Sequence, residues 1–102
     1  MKAGASGLTL FNRYYQPDID LDTLGVDRRL VLSTPRELPL RLHALAALSP
    51  VLPLSLACTG GAHSGHDAAK ALLCGADVVQ VTSAVLEHGP VHLRTMLDQL
   101  RE

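Results

Sequence analysis

The feature that most constrains this chain is the alternation of apolar runs with capped helices in its second half. The run PLSLAC ends at residue 58 and is followed at once by Thr59, Gly60 and Gly61. Ser64 and Asp67 then have the spacing of a capping box, which predicts a helix that stops at the next glycine. A further apolar run, DVVQVTS, follows that helix. This order predicts parallel strands joined by helical crossovers.

The first half of the chain continues the same pattern. GLTLF (7–11) and RLVLS (29–33) are predicted strands, and the intervening NRYYQPDIDLDTL is predicted to be an irregular loop. STPRELPLRLHALAAL predicts a helix with Leu38, Leu42 and Leu45 on one face, its regular part beginning near Pro39. A last helix is expected to start at Pro90.

The predicted fold class is therefore α/β, with about three to four β/α units and parallel strands. DVVQVTS is continuously apolar, which is typical of a strand covered on both faces. Four strands are too few to close an eight-stranded (β/α)₈ barrel. We expect residues 1–102 to form a single partial domain, a slice of an incomplete barrel with exposed edge strands.

Composition excludes several classes of function. The 102 residues include nine basic and ten acidic side chains. The net charge of −1 leaves no excess of positive charge with which to bind nucleic acid or an anionic membrane. No apolar run is long enough to cross a bilayer. Cys58 and Cys74 lie in predicted core elements and are expected to be free thiols. These observations predict a cytoplasmic protein with neither nucleic acid nor a membrane as its partner.

Two strand ends carry the residues expected of an anion site. Thr59, Gly60 and Gly61 would bring backbone N–H groups close to a ligand, next to the N-terminus of the helix capped at Ser64. Thr82 and Ser83 end the following strand with hydroxyl donors. In (β/α)₈ barrels, the loops after the last two strands commonly bind phosphate. Tight turning and helix capping are the alternative interpretations, but both donor sets at this spacing favour phosphate.

Other polar residues give weaker indications. His63 and His66 flank a helix start, but no Cys or carboxylate completes a metal-ligand set, so no metal site is predicted. Cys58 is interpreted as a small buried side chain and not as a nucleophile. Gln80 either points into a barrel interior or bonds a neighbour. Asn12, at the end of the first strand, is either a ligand contact or a turn residue.

The sequence resembles the C-terminal portion of the dihydroorotate dehydrogenase family, which are FMN-dependent (β/α)₈ flavoproteins. The segments that carry the resemblance are ACTGGAHSGHDAAKALLCGADVVQVTSAVLEHGP, GLTLFN and LSTP. They cover nearly all of the chain but only the last third to two-fifths of a barrel. The resemblance implies FMN as the cofactor, dihydroorotate or a related dihydropyrimidine as the substrate, and a role in pyrimidine biosynthesis.

The resemblance also implies roles for individual residues. Those implied to contact the flavin, mainly at its phosphate, are Thr59, Gly60, Gly61, Thr82, Ser83 and Ser33. Asn12 falls where the family has a substrate-binding Asn. Arg13 replaces the small hydroxyl residue usual after it, and the glycines usual near Ser33 are missing. Because these departures concern the pyrimidine more than the flavin, the substrate need not be dihydroorotate itself.

The family's catalytic base and flavin-proximal Lys come from earlier segments and have no counterpart in this chain. No catalytic residue is therefore predicted, and the isolated chain is expected to be inactive. Two alternatives remain open. One is a fragment of a phosphosugar-binding barrel enzyme, and the other is a non-catalytic half-barrel that pairs its open edge with another chain, for example as a homodimer.

Overall fold

The computed structural model describes residues 3–13 and 17–101. Within these ranges a short 3₁₀ turn, Pro35–Glu37, precedes the first α-helix. The strands and α-helices follow one another in the order β1 (Gly7–Leu10), β2 (Asp18–Asp20), β3 (Gly25–Asp27), α1 (Leu38–Leu48), β4 (Ser55–Thr59), α2 (Gly65–Leu73), β5 (Val78–Gln80), α3 (Ser83–His88) and α4 (His92–Leu100).

A three-stranded parallel sheet forms the centre of the fold, with β4 between β1 and β5. Leu10 pairs with Cys58, and Cys58 pairs with Val79. The predicted α/β class with parallel strands is therefore confirmed. Since β1 and β4 pair directly, no strand lies between them, and the sheet has three strands.

Two predictions in the first half are wrong. Residues 29–33 are not a strand: no strand of the described ranges pairs with them, and the side chains of Leu30 and Val31 are 76% and 66% exposed. The segment after Asn12 is not wholly irregular, because β2 and β3 form an antiparallel hairpin in which Ile19 pairs with Val26. The Asp20 carboxylate accepts the Asp22 amide at 2.9 Å and so helps to form the turn of this hairpin.

Helix α1 begins where the sequence predicts. Pro39 lies in its first turn, where a missing N–H is tolerated. Glu37 reaches back to accept the Thr34 amide at 2.8 Å, as the capping-box spacing predicts. Leu38 and Leu45 are fully buried, and Leu42 packs against the same core.

The second half matches the predicted helices closely. Ser64 Oγ accepts the Asp67 amide at 3.1 Å and caps α2, which ends before Gly75. Residues 83–88 form α3. Helix α4 begins at His92 and not at Pro90, because Pro90 lies in the turn before it. Met96 of α4 is buried, and Gln99 Oε1 accepts the Gly65 amide at 2.7 Å, which joins α4 to α2.

The core lies on one face of the sheet only. The core cluster contains side chains from the sheet and from the helices that cover it. Leu10, Leu56, Cys58 and Val79 come from the strands, and Leu38 and Leu45 come from α1. Val78 projects from the opposite face and is 55% exposed. The expectation that both faces of β5 are covered is therefore wrong for this chain alone. None of the helices in the described ranges has the length and apolar character needed to cross a membrane.

The backbone at Gly61 gives a first test of the fold. Its φ is +86°, and an added Cβ would lie 2.5 Å from the Leu38 nitrogen. We expect Gly61→Ala to cost about 1 kcal/mol for the left-handed conformation and about 1–3 kcal/mol more for crowding. Urea unfolding would measure both contributions together.

Gly89→Ala is the matched control, because Gly89 has a φ of +84° but open space around its Cβ position. We expect this control to lose only the conformational part. Equal losses of unfolding free energy in the two variants would contradict the packing of the loop against α1.

Candidate functional site

A cavity of about 260 Å³ opens where the carboxyl ends of the parallel strands meet. Its lining comes from the ends of β1, β4 and β5, from the start of α3, and from the segment before the 3₁₀ turn. All seven residues that the sequence analysis selected lie in this lining: Asn12, Ser33, Thr59, Gly60, Gly61, Thr82 and Ser83. Their placement is a structural finding, whereas their contacts with a cofactor or substrate stay predictions.

Ser33 is hydrogen-bonded to two corners of this cavity. The corner after β4 contains Gly60 and Gly61, and the corner after β5 contains Thr82 and Ser83. The Ser33 side chain is buried, and its hydroxyl accepts the Gly61 amide at 3.3 Å. Its backbone amide donates to Ser83 Oγ at 2.9 Å. The corner after β4 and the corner after β5 are therefore held together through one residue of a third segment.

His63 connects Ser33 to helices α2 and α4 through hydrogen bonds. Its Nε2 lies 3.1 Å from Ser33 Oγ, and its backbone amide donates to Asp67 at 3.0 Å. His92 donates from its ring to the His63 carbonyl at 2.6 Å. His66 is exposed, and no cluster of three potential metal ligands occurs among residues 3–13 and 17–101.

The fold itself explains the glycine pair. Gly60 has a φ of +94°, and a Cβ there would lie 2.9 Å from the Arg41 guanidinium. Gly61 is crowded by the start of α1, as described above. Both positions therefore require glycine for backbone geometry and packing, whether or not a ligand approaches them.

The charge and polarity of the lining suit an anionic group joined to an apolar body. The described residues of the lining include no Asp or Glu, and Arg13 is their one cation. An apolar wall is formed by Phe11, Leu30, Leu32 and Leu86. A volume of 260 Å³ lies below the usual range of ligand pockets, about 300–1,000 Å³, so the cavity has room for only part of a drug-sized ligand.

Asn12 and Arg13 form the rim on the β1 side. Asn12 is exposed, and its side-chain oxygen accepts the Arg13 amide at 3.0 Å. The Arg13 guanidinium pairs with Glu37 at 2.7 Å and donates to the Val31 carbonyl. An adjoining cavity of about 660 Å³ shares this rim and is lined by four arginines and Glu37.

Arg41 is the site residue that the sequence analysis missed. It is only 4% exposed, and its guanidinium donates to the backbone carbonyls of Phe11, Glu37 and Thr59. A signal was present, because Arg41 lies three residues after Leu38 and four before Leu45, within the buried stripe of α1. Arginine at such a position predicts a buried cation with dedicated partners.

Two further residues have defined environments. Gln80 ends β5 and lines the 260 Å³ cavity. Cys58 is fully buried on the helix-facing side of β4 and is a free thiol. Burial raises the pKa of Cys58, although the nearby Arg41 charge acts in the opposite direction. A buried thiol with a raised pKa is a poor nucleophile, which agrees with its interpretation as a packing residue.

Comparison with known proteins gives three partial matches. Dihydroorotate dehydrogenase A (fumarate) from Lacticaseibacillus paracasei is 36% identical over 86 residues, which is 81% of this chain and 30% of that protein. The chloroplastic dihydropyrimidine dehydrogenase (NADP(+)) of Arabidopsis thaliana is 40% identical over 48 residues, covering 47% of the chain and 11% of that protein.

The third match is the putative dihydroorotate dehydrogenase A (fumarate) of Streptococcus uberis. It is 41% identical over 44 residues, covering 43% of the chain and 14% of that protein. Over most of its own length the chain is similar to dihydroorotate dehydrogenase A (fumarate). The predicted resemblance is thereby confirmed, although no family model matches. This dihydroorotate dehydrogenase-like chain spans less than a third of the length of each of these relatives.

Glu37, at the rim of the site, is expected to make the free energy of unfolding depend on pH. Partial burial raises the pKa of Glu37, but the Thr34 amide and the Arg13 guanidinium outweigh it, so the pKa lies below its ordinary value of 4.5. A carboxyl with a lowered pKa in the folded state stabilises the protein above the unfolded pKa. That stabilisation is lost as the pH falls through the folded pKa.

We therefore expect Glu37→Gln to lower the free energy of unfolding at pH 7 and to flatten its decline below a pH of about 4.5. Urea unfolding of both proteins at several pH values would measure the difference between them. A difference that stays constant down to a pH of about 3 would show that Glu37 is not linked to folding in this way.

Proposed function

We propose that this chain is the C-terminal part of an FMN-dependent, dihydroorotate dehydrogenase-type oxidoreductase and contributes the flavin's phosphate site. The observation that carries the proposal is the shared cavity, where the corner after β4 and the corner after β5 meet without a carboxylate among the described lining residues. The names of the related proteins support a dehydrogenase acting on a dihydropyrimidine. In this proposal the chain forms the last β/α units of a (β/α)₈ barrel.

The residues present fit a phosphate monoester. The backbone amide of Gly60 would approach its oxygens, and the hydroxyls of Thr82 and Ser83 would donate from the other side, while the Gly61 amide donates to Ser33 Oγ. Ser33 already bonds to both corners and would lie against the same group. The apolar wall around Leu30 and Leu86 would accommodate the uncharged part of the cofactor.

When bound, FMN would supply the hydride acceptor for oxidation of a dihydropyrimidine. The share of this chain is to bind and orient that cofactor, and Asn12 at the rim would contact the substrate. No residue of the chain is proposed as the catalytic base. The proposal therefore places that base, and the site of the final electron acceptor, in segments outside this sequence.

Thr82 allows a sharp test of phosphate recognition, because its hydroxyl is exposed and the change to Val preserves its shape. We expect the chain to bind FMN more tightly than riboflavin, which lacks the phosphate. Thr82→Val should weaken FMN binding about tenfold or more, the size of one hydrogen bond to a charged group, and leave riboflavin binding unchanged. Quenching of flavin fluorescence would measure all these affinities.

Thr95→Val on the exposed surface of α4 is the matched control and should alter neither affinity. A wild-type chain that binds FMN and riboflavin equally would refute the phosphate site. If the chain binds a sugar phosphate but no flavin, the phosphosugar-enzyme alternative would replace this proposal.

We also expect no turnover by the 102-residue chain. Mixed anaerobically with FMN and dihydroorotate, it should leave the visible absorbance of the flavin unchanged, because no catalytic base is present to remove the substrate proton. Chemical reduction of the same sample would prove that bleaching is detectable. Bleaching by dihydroorotate at an enzymatic rate would contradict the assignment of the base to other segments.

A further inference from the structure

We infer that Arg41 is a positioning residue, which fixes the two sides of the 260 Å³ cavity relative to each other and places a positive charge beside the loop after β4. The inference concerns how the chain favours an anion, and its charge part rests on the proposed phosphate site. Arg41 lies on α1, outside the lining of the 260 Å³ cavity, and acts through the backbone that it holds.

The guanidinium joins three separate segments at the carboxyl edge of the sheet. Its Nε donates to the Thr59 carbonyl at 3.1 Å, at the end of β4. Its Nη2 donates to the Phe11 carbonyl at 3.3 Å, one residue after β1. Its Nη1 donates to the Glu37 carbonyl at 3.0 Å, just before α1. Asn12 and Gly60, which flank the first two carbonyls, are therefore held in a fixed relation.

The aromatic ring of Phe11 completes this arrangement. The central carbon of the guanidinium lies 4.6 Å from the ring centroid, within the range of a cation–π contact. A planar, forked donor can stack on a ring and bond three carbonyls at once, which the single ammonium of Lys cannot reproduce.

The second part of the inference concerns charge. Among the described residues the hydrogen-bond partners of Arg41 are three neutral carbonyls. The Glu37 carboxylate pairs with Arg13 and also interacts electrostatically with Arg41, without a hydrogen bond to it. Burying a cation is unfavourable unless its surroundings compensate it. A Cβ at Gly60 would lie 2.9 Å from the guanidinium, and Gly60 also lines the cavity, so a negative group bound next to that glycine would supply further compensation.

Two variants separate these contributions. Arg41→Gln removes the charge and the fork, whereas Arg41→Lys keeps the charge and removes the fork. We expect Arg41→Gln to reduce the ratio of FMN to riboflavin affinity about tenfold, from the loss of one charge at an effective dielectric constant of about 20. Arg41→Lys should keep this ratio within about threefold of the wild type. Arg94→Gln on exposed α4 is the control and should change nothing.

Amide hydrogen exchange tests the positioning role without any ligand. Both Arg41 variants should accelerate exchange at residues 12–13 and 60–62 about tenfold or more, and leave the amides of α4 unchanged. Unchanged exchange at these residues would overturn the positioning role. Faster exchange with an unchanged FMN-to-riboflavin ratio in Arg41→Gln would overturn the charge contribution and leave Arg41 a structural residue.

Failure of the proposed function would look different. A wild-type chain with no preference for FMN refutes the phosphate site and with it the charge contribution, while exchange in the variants still decides the positioning role. If Arg41→Gln fails to fold by circular dichroism, Arg41→Lys carries the test: faster loop exchange with a retained FMN preference supports the inference, and unchanged exchange overturns it.

Discussion

The parallel pairing of β4 with both of its neighbours is the constraint from which the rest of the structure follows. Strands that run in the same direction deliver their carboxyl ends to one edge, and each return path must cross the sheet as a helix or a long connection. Asn12, Thr59 and Thr82 are far apart in sequence, yet they meet at that edge because each follows a strand of the same sheet. A different pairing of these strands would have separated them.

The edge is held together by polar groups, whereas the core beneath it is apolar. Along α1, Leu45 packs deep in the core and Leu38 lies nearer the cavity, with Arg41 between them on the same buried stripe. Backbone carbonyls at strand ends no longer have ladder partners, and a guanidinium has enough donors to satisfy several of them. Arg41 therefore donates hydrogen bonds to carbonyls at the ends of β1 and β4. Its positive charge also lies beside Gly60, in the loop after β4.

The sequence was informative wherever the determinants of structure are local. Ser64 and Asp67 predicted the start of α2, and Pro39 predicted where regular α1 could begin, because caps and proline act within one turn. Predictions failed where the outcome depends on distant partners. Leu30 and Val31 have strand-like character, but no strand pairs with them, since β1 and β4 pair directly. The β2–β3 hairpin was missed because its strands have only three residues each and its turn is formed by the Asp20 side chain.

The candidate site shows the same contrast between features that a local pattern predicts and features that depend on distant contacts. The lining residues were selected because small and hydroxyl residues at strand ends form a recognisable pattern. Arg41 acts through backbone carbonyls and belongs to no such motif, and its one sequence signal is its place in the buried stripe of α1. The glycines prove less informative than their motif suggests, since Gly60 and Gly61 are already required by contacts with Arg41 and Leu38. Thr82 is different: it precedes α3 with an exposed side chain that makes no capping hydrogen bond. Because the described fold does not require its hydroxyl, Thr82 carries more information about a ligand than either glycine does.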